Sequence, residues 1–226
     1  MPSFEELTQA AGELRNAYWQ QIGELAPDVI SHLINPAFMG GPAWPALRQA
    51  FAKITTPTTM ILASDGLSDP YSDVDTNPEN AGYNGLGLEM YVETPEILPT
   101  YDLIMESWQF DVLYQVSQLA AQNGNLLGLL NKYQFLTTEI YANKVPDAFR
   151  NSAGRVGVIL GLPSDSRSNT MQGNLEEIRL VNTKLLTLDE LEFVLEKKEK
   201  GRMELAELLI QQGNATLSDL TRKSVV

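Results

Sequence analysis

The chain has 226 residues, 43% hydrophobic and 20% charged, the balance of a folded domain rather than a disordered one. It has no cysteine and a single histidine, His32, which excludes disulfides, zinc–thiolate and iron–sulfur centres, a cysteine nucleophile and any site needing two imidazoles. The formal net charge of −13 is concentrated: residues 54–131 carry eleven acids and no Lys, Arg or His, residues 1–53 carry five acids and three bases, and residues 132–226 carry thirteen of each.

A field of that sign repels nucleic acid and anionic lipid, and it steers a basic protein partner toward the surface. Met1-Pro2-Ser3-Phe4-Glu5-Glu6 lacks the basic start and apolar run of a signal peptide. No apolar stretch approaches the roughly 18 residues that span a bilayer. The expectation is a cytoplasmic protein with neither a nucleic-acid nor a membrane partner.

In chain order, Ser3-Phe4-Glu5-Glu6 has capping-box spacing, and Leu7, Ala11, Leu14, Tyr18 and Ile22 recur at helical spacing up to Pro27. Asn35 to Pro45, with three prolines and two glycines, predicts a structured loop, and Ala46 to Ile54 a short helix. Thr58 to Ala63 is a β-branched apolar run that predicts a buried strand. Asp65 to Tyr83 is a long polar loop, and Leu86 to Glu93 predicts a second strand. Trp108, Val112, Val116, Leu119 and Ala120 mark a helix that stops at Asn123-Gly124. Arg155 to Leu162 reads as a strand buried on both faces, Pro163 to Asn174 as a polar loop, and Ile178 to Leu186 as the last strand. Thr187-Leu188-Asp189-Glu190 opens another capped helix through Leu195, a charged break follows at Lys197 to Lys200, and Met203 to Ile210 forms a final helix stopped by Gly213. Strands and helices mix without strict alternation. The predicted fold is therefore α+β, a mixed sheet flanked by helices in a single domain, with residues 1–37 a helical lead-in, 38–200 the body, and 201–226 a C-terminal helix and tail packed on it.

Motifs for chemistry are sparse. No GxSxG serine motif surrounds any triad candidate for His32. Asp73-Val74-Asp75-Thr76-Asn77 begins like a calcium loop, but Pro78 stands where the sharp turn needs Gly and Asn84 where the bidentate Glu belongs. A looser oxygen cage of Asp65, Asp69, Asp73 and Asp75 is the remaining metal arrangement. The residues by themselves assign no metal, no other cofactor and no catalytic group.

One block is more specific. Asp65-Gly66-Leu67-Ser68-Asp69-Pro70-Tyr71 is followed, after an acidic loop, by Gly85-Leu86-Gly87-Leu88-Glu89-Met90. This resembles the suppressor-of-fused family, whose N-terminal domain carries a GLSD segment, a Tyr, an Asp and then a G-aromatic-G-aromatic-E-L strand. Gly66, Leu67, Ser68, Asp69, Tyr71 and Asp73 match the first part, and Gly85, Gly87 and Glu89 the second, with Leu86 and Leu88 replacing the aromatics. Trp108 resembles the Trp opening the next family helix, and Val181 to Leu191 the following strand and helix start. The resemblance covers residues 38–200. It implies a non-enzymatic protein-binding fold of the family's N-terminal domain, with Tyr71 at a peptide-binding position and no clear match, at Asn80 or Ala81, for the acidic position used there. The animal member clamps a peptide of Gli-type transcription factors between two domains. The second half of that clamp has no counterpart here, so Gli binding is not carried over. Single-domain chains of this kind resemble bacterial members proposed as immunity proteins against a toxin partner.

The combined expectation is a protein-binding module whose contact residues are Asp65, Asp69, Tyr71, Asp73, Asp75 and Tyr83. Gly66, Leu67, Ser68, Gly85, Gly87, Glu89 and Trp108 are expected to shape the motif, and the partner to be a basic protein. The competing reading is a small-molecule- or metal-dependent enzyme with a pocket under the 65–83 loop.

Overall fold

The computed structural model describes residues 2–31, 35–77, 79–80 and 83–226. Helix α1 (Phe4–Gln20) starts on the capping box: Glu6 N–H donates to Ser3 Oγ (3.3 Å) and Ser3 N–H to Glu6 Oε2 (2.8 Å). Two-residue strands β1 (Glu24–Leu25) and β2 (Ile30–Ser31) follow, then β3 (Ala50–Thr55), β4 (Met60–Asp65) and β5 (Leu88–Thr94). Helices α2 (Tyr101–Met105), α3 (Trp108–Asn123) and α4 (Leu126–Tyr133) lead to β6 (Leu136–Ile140) and β7 (Val156–Leu160). Strands β8 (Thr170–Gln172) and β9 (Glu177–Leu185) precede helix α5 (Leu188–Gln212).

These strands form one mixed sheet in the order β1-β3-β4-β5-β9-β7-β6, with β2 beside β3 and β8 beside β9. Every pairing but one is antiparallel; β5 runs parallel to β9, which requires the long crossover through α2, α3, α4, β6 and β7. The α+β class expected from the sequence is the one observed.

Alternation along the central strands decides which helix covers which face. Met60 and Leu62 join the cluster under α3 with Met90, Val112 and Val116, while Ile61 and Ala63 point to the opposite face with Trp19 of α1 and Tyr91. Both faces are covered, so β4 and β5 are buried throughout, including Glu89 and Glu93 of β5. Ser107 caps α3, its Oγ accepting from Phe110 N–H (3.2 Å), and Gly124 closes the helix at φ 65°.

Two expectations change. Residues 46–54 do not form a helix: from Ala50 they form β3, with Phe51 in the α3 cluster and Ala52 and Ile54 in the α1 cluster. The helix propensity of Ala-Leu-Arg-Gln-Ala yields to six register pairs with β4, from Ala50–Asp65 to Thr55–Met60. The 163–174 segment is not loop throughout, since β8 lies in it and pairs with β9. The charged break expected at Lys197–Lys200 is present: Lys198 is non-helical (φ 56°, ψ −130°), so two helical runs meet at a kink within α5.

The C-terminal segment is held in the fork where β5 and β9 part. Leu217 bridges Glu93 in parallel, Ser218 N–H donates to Glu93 O (2.8 Å), and Asn182 Nδ2 donates to Thr216 O (3.0 Å). Lys184 Nζ donates to Leu217 O from a side chain buried on β9. Burial, reinforced by the Arg222 charge, lowers the Lys184 amine from 10.5 to about 8. Between those values the unfolded chain binds the proton that the folded one has released, so this lysine adds stability as pH rises. Chemical denaturation should therefore show wild type gaining stability relative to Lys184→Met between pH 8 and 10.5. A second denaturation experiment probes the core: Trp108, 7% exposed, packs with Val112 and Val116, and Trp108→Ala should cost about 3–5 kcal/mol.

Candidate functional site

The GLSD and GxGxE segments meet at the end of β4 and the start of β5. The carboxylate of Glu89 is fully buried and accepts from Gly66 N–H (3.1 Å), Ser68 N–H (2.9 Å), Leu67 N–H (3.4 Å), Ser68 Oγ (2.6 Å) and Ser64 Oγ. A tight turn thus wraps one acid with its own amides. Gly66 sits at φ +147°, where a Cβ would stand 2.7 Å from Arg48 O, and Gly85 at φ +52°, where a Cβ would stand 2.4 Å from Asp69 O. The motif glycines serve a conformation and an approach that a side chain blocks.

The turn is closed by two arginines from earlier in the chain. Arg15 of α1 is 1% exposed; its Nε donates to Asp65 Oδ1 (2.6 Å), its Nη2 to Asp69 Oδ1 (2.5 Å) and its Nη1 to Ser68 Oγ (3.1 Å). Glu89 Oε1 lies 3.8 Å from Arg15 Nε. Arg48 Nη1 donates to Asp65 O (2.8 Å) and Asp69 Oδ2 (3.4 Å), and its Nη2 pairs with Asp65 Oδ2. Burial alone would raise the Asp65 carboxyl, but Arg15 and then Arg48 hold it below the usual carboxylate range. At Glu89 the balance goes the other way: complete burial pushes its carboxyl up, against the pull of Arg15 and the serine hydroxyls.

The structure therefore divides the expected contact residues. Asp65 and Asp69 are buried, ion-paired and turned inward with Gly66, Leu67 and Ser68. They are not rim charges in this fold. Tyr71 is half-buried, Asp73 and Asp75 are exposed, and Tyr83 is 53% exposed. Asp73 accepts from Asn80 Nδ2 (2.8 Å) and Asn77 Nδ2 (3.2 Å), bonds that hold its carboxyl below the usual range. Ser72 N–H donates to Pro45 O (2.9 Å), tying this loop to the 42–47 segment. Between them lies an open cleft of about 390 Å³, lined by Trp44, Pro45, Leu47, Tyr71, Asp73 and Leu86 among others. Burial, with the Asp73 charge beside it, raises the Tyr71 hydroxyl.

The charge distribution changes accordingly. Of the eleven acids in 54–131, Asp65, Asp69 and Glu89 face Arg15 or Arg48, Glu93 pairs with Arg167 (2.5 Å), and Glu106 with Lys144 (3.1 Å). Among the described residues the other six, Asp73, Asp75, Glu79, Glu96, Asp102 and Asp111, form no ion pair. The unpaired acids are thus divided between the loop (Asp73, Asp75 and Glu79) and the 96–111 segment. Among the described residues no three His, Cys, Asp or Glu are placed to hold a metal ion, and no helix is long and apolar enough to cross a membrane. His32 and Ala81 lie outside the described residues.

Sequence reasoning missed Arg15 and Arg48. It placed the apolar stripe of α1 on Leu7, Ala11, Leu14, Tyr18 and Ile22; the buried positions are Ala11, which it included, and Arg15 and Trp19, which it did not. An arginine four residues from each of two apolar positions, in a chain with a base-free acidic stretch, was the available signal.

The chain matches the suppressor of fused protein (SUFU) family over residues 48–223, and it belongs to that family. No curated protein sequence matches it. Its fold is similar to the crystal structure of Drosophila Suppressor of Fused, with a TM-score of 0.59 and 14% identity over 96% of this chain; it spans 50% of the length of that chain. It is also similar to a chain in the crystal structure of the Sufu–Fu complex, with a TM-score of 0.59, 15% identity, 97% of this chain and 92% of that one covered.

Replacing Arg15 should be severe, because it strands Asp65, Asp69 and Glu89 in the interior. Arg15→Met is expected to lose about 3–5 kcal/mol in urea denaturation. Arg15→Lys should recover only part of this, since an ammonium lacks the fork of donors that meets both aspartates and Ser68.

Proposed function

We propose that this chain is a non-enzymatic protein-binding module whose contact face is the 71–83 part of the loop and the cleft beside it. The observation that carries this reading is the placement of Asp73, without a cationic partner among the described residues, in one cleft with the apolar lining of Trp44, Pro45, Leu47 and Leu86, with exposed Asp75 and Glu79 further along the same loop. A face of that character suits a basic protein partner, with Tyr71 and Tyr83 as anchors and the acids as a steering rim. Membership of the suppressor of fused family, and the crystallisation of one structural relative as a Sufu–Fu complex, support protein binding over catalysis. The net charge of −13 argues against nucleic acid and anionic membranes as partners. In a bacterial cytoplasm the same chemistry fits a regulatory or immunity protein that masks a basic surface of another protein.

The natural partner, isolated by affinity capture, allows binding kinetics at two salt concentrations. Asp73→Asn with Asp75→Asn and Glu79→Gln should slow association several-fold and flatten its salt dependence. Tyr71→Ala should chiefly speed dissociation. Unchanged rates in both variants, with circular dichroism showing intact fold, would remove the binding face from this loop.

A further inference from the structure

The 36–47 segment carries apolar side chains that the fold holds outward. Phe38 is 74% exposed and Met39 79%, on a 3₁₀ turn over Pro36–Met39. The turn is not loose. Asn35 caps it by accepting from Ala37 N–H (2.9 Å), Gly40 ends it at φ 85°, and Gly41 N–H donates back to Pro36 O (2.9 Å). Asn35 Nδ2 also donates to Leu47 O, which fastens the turn to the next segment.

Leu47 is the second element. It is 40% exposed and adopts φ 58°, a left-handed conformation unusual for a leucine. Its N–H donates to Trp44 O (2.9 Å), and the following residue, Arg48, is clamped by Asp65 and Asp69. The surroundings thus impose a strained backbone whose visible result is an apolar side chain at a rim, since Leu47 lines both the 390 Å³ cleft and a smaller hollow of about 190 Å³ with Asn35, Pro36 and Arg48. Below it Trp44 is 1% exposed, packs edge-on against Phe51 (5.6 Å between ring centres) and leaves its indole N–H without a hydrogen-bond acceptor.

Apolar and acidic groups therefore share one open cleft, Leu47 on one side and Asp73 on the other. Arg48, which lines the adjoining hollow, is paired with Asp65 and Asp69. We infer that Phe38, Met39 and Leu47 form the apolar anchor of the docking face, and that its occupant is an amphipathic basic helix of a partner protein. Its apolar side covers these three residues, and its Lys or Arg side faces Asp73, Asp75 and Glu79. An amphipathic helix carries an apolar face and a basic face along one segment, the pairing that these two chemistries match. This inference rests on the proposed binding role of the 71–83 loop and adds to it the anchor and the form of the partner.

The test uses fluorescence anisotropy on the full chain with a labelled synthetic amphipathic helix of leucine and lysine. A serine–lysine peptide of the same charge and a leucine–glutamate peptide serve as comparisons. Wild type should bind the leucine–lysine peptide and prefer it to both others. Phe38→Ser with Met39→Ser, and separately Leu47→Gly, should each weaken binding roughly five- to tenfold with the salt dependence unchanged. Leu47→Gly should melt at or above the wild-type temperature, because glycine accepts the left-handed backbone, so lost binding there is not lost folding. Asp73→Asn with Asp75→Asn should weaken binding and flatten its salt dependence, whereas Glu196→Gln with Glu207→Gln on α5 should not. Unchanged affinity in the apolar variants, with the aspartate variant still weakened, overturns the anchor and leaves the binding loop standing. Equal effects of the loop and α5 acid variants overturn both. Adsorption of wild type to phosphatidylcholine vesicles, lost in the Phe38→Ser/Met39→Ser variant, overturns the protein partner in favour of a lipid surface.

Discussion

A guanidinium buried among three carboxylates organises this protein. Arg15 comes from the first helix, Asp65 and Asp69 from a turn some fifty residues later, and Glu89 from the strand beyond it. Charges of this kind are costly to bury singly and persist only when geometry and hydrogen bonds satisfy them together. Here each carboxylate is met by specific donors: Arg15 and Arg48 for the aspartates, and three backbone amides with two hydroxyls for Glu89. Two guanidiniums against three acids leave one negative charge in excess, and the group that burial pushes above its ordinary range is the innermost one, Glu89. The network joins α1, β3, β4 and β5, so loss of one member disturbs the registry of four elements.

The same network explains why the surface beside it has the character it does. Arg48, held by Asp65 and Asp69, lies directly after Leu47, so the clamp that satisfies the buried acids also fixes the backbone that turns Leu47 outward. Pro45 O accepts from Ser72 N–H, which brings the acidic part of the loop alongside. Interior electrostatics and the exposed apolar rim are consecutive parts of one segment. The matched family region begins at residue 48, so Arg15, Phe38, Met39 and Leu47 all lie before it. The family motif supplies the turn and the buried acids, while this chain's first 47 residues supply the helix that locks them and the apolar rim.

The far end of the sheet shows a second solution to the same constraint. Where β5 and β9 part, their polar ends would be left open, and the C-terminal segment fills the gap with Leu217 and Ser218. Glu93 there is paired with Arg167 and accepts from Thr59 and Thr216 Oγ1, and its carboxyl is held below the usual range although burial opposes it. Two acids of β5, Glu89 and Glu93, thus mark its two ends, one wrapped by a turn and one by the tail.

The amino-acid order by itself determined the local features. Ser3 and Thr187 announced their capping boxes, Asn123-Gly124 stopped a helix whose apolar residues recur at the right spacing, and the apolar runs in β4 and β7 read as buried strands, β7 as one covered on both faces. It also pointed to the GLSD and GxGxE segments as one unit, and to the loop between them as acidic. What it did not contain was the answer to where each charge goes. Composition counted eleven acids without a base in residues 54–131, yet five of them find partners on Arg15, Arg48, Lys144 and Arg167, outside that stretch. Pairing between residues 17 to 74 positions apart leaves no local trace, and helix propensity at 46–54 was overridden by the strand partner that only the assembled sheet provides. Periodicity reports which side chains share a face; only tertiary contact decides whether a face meets water, a sheet or the charge that neutralises it.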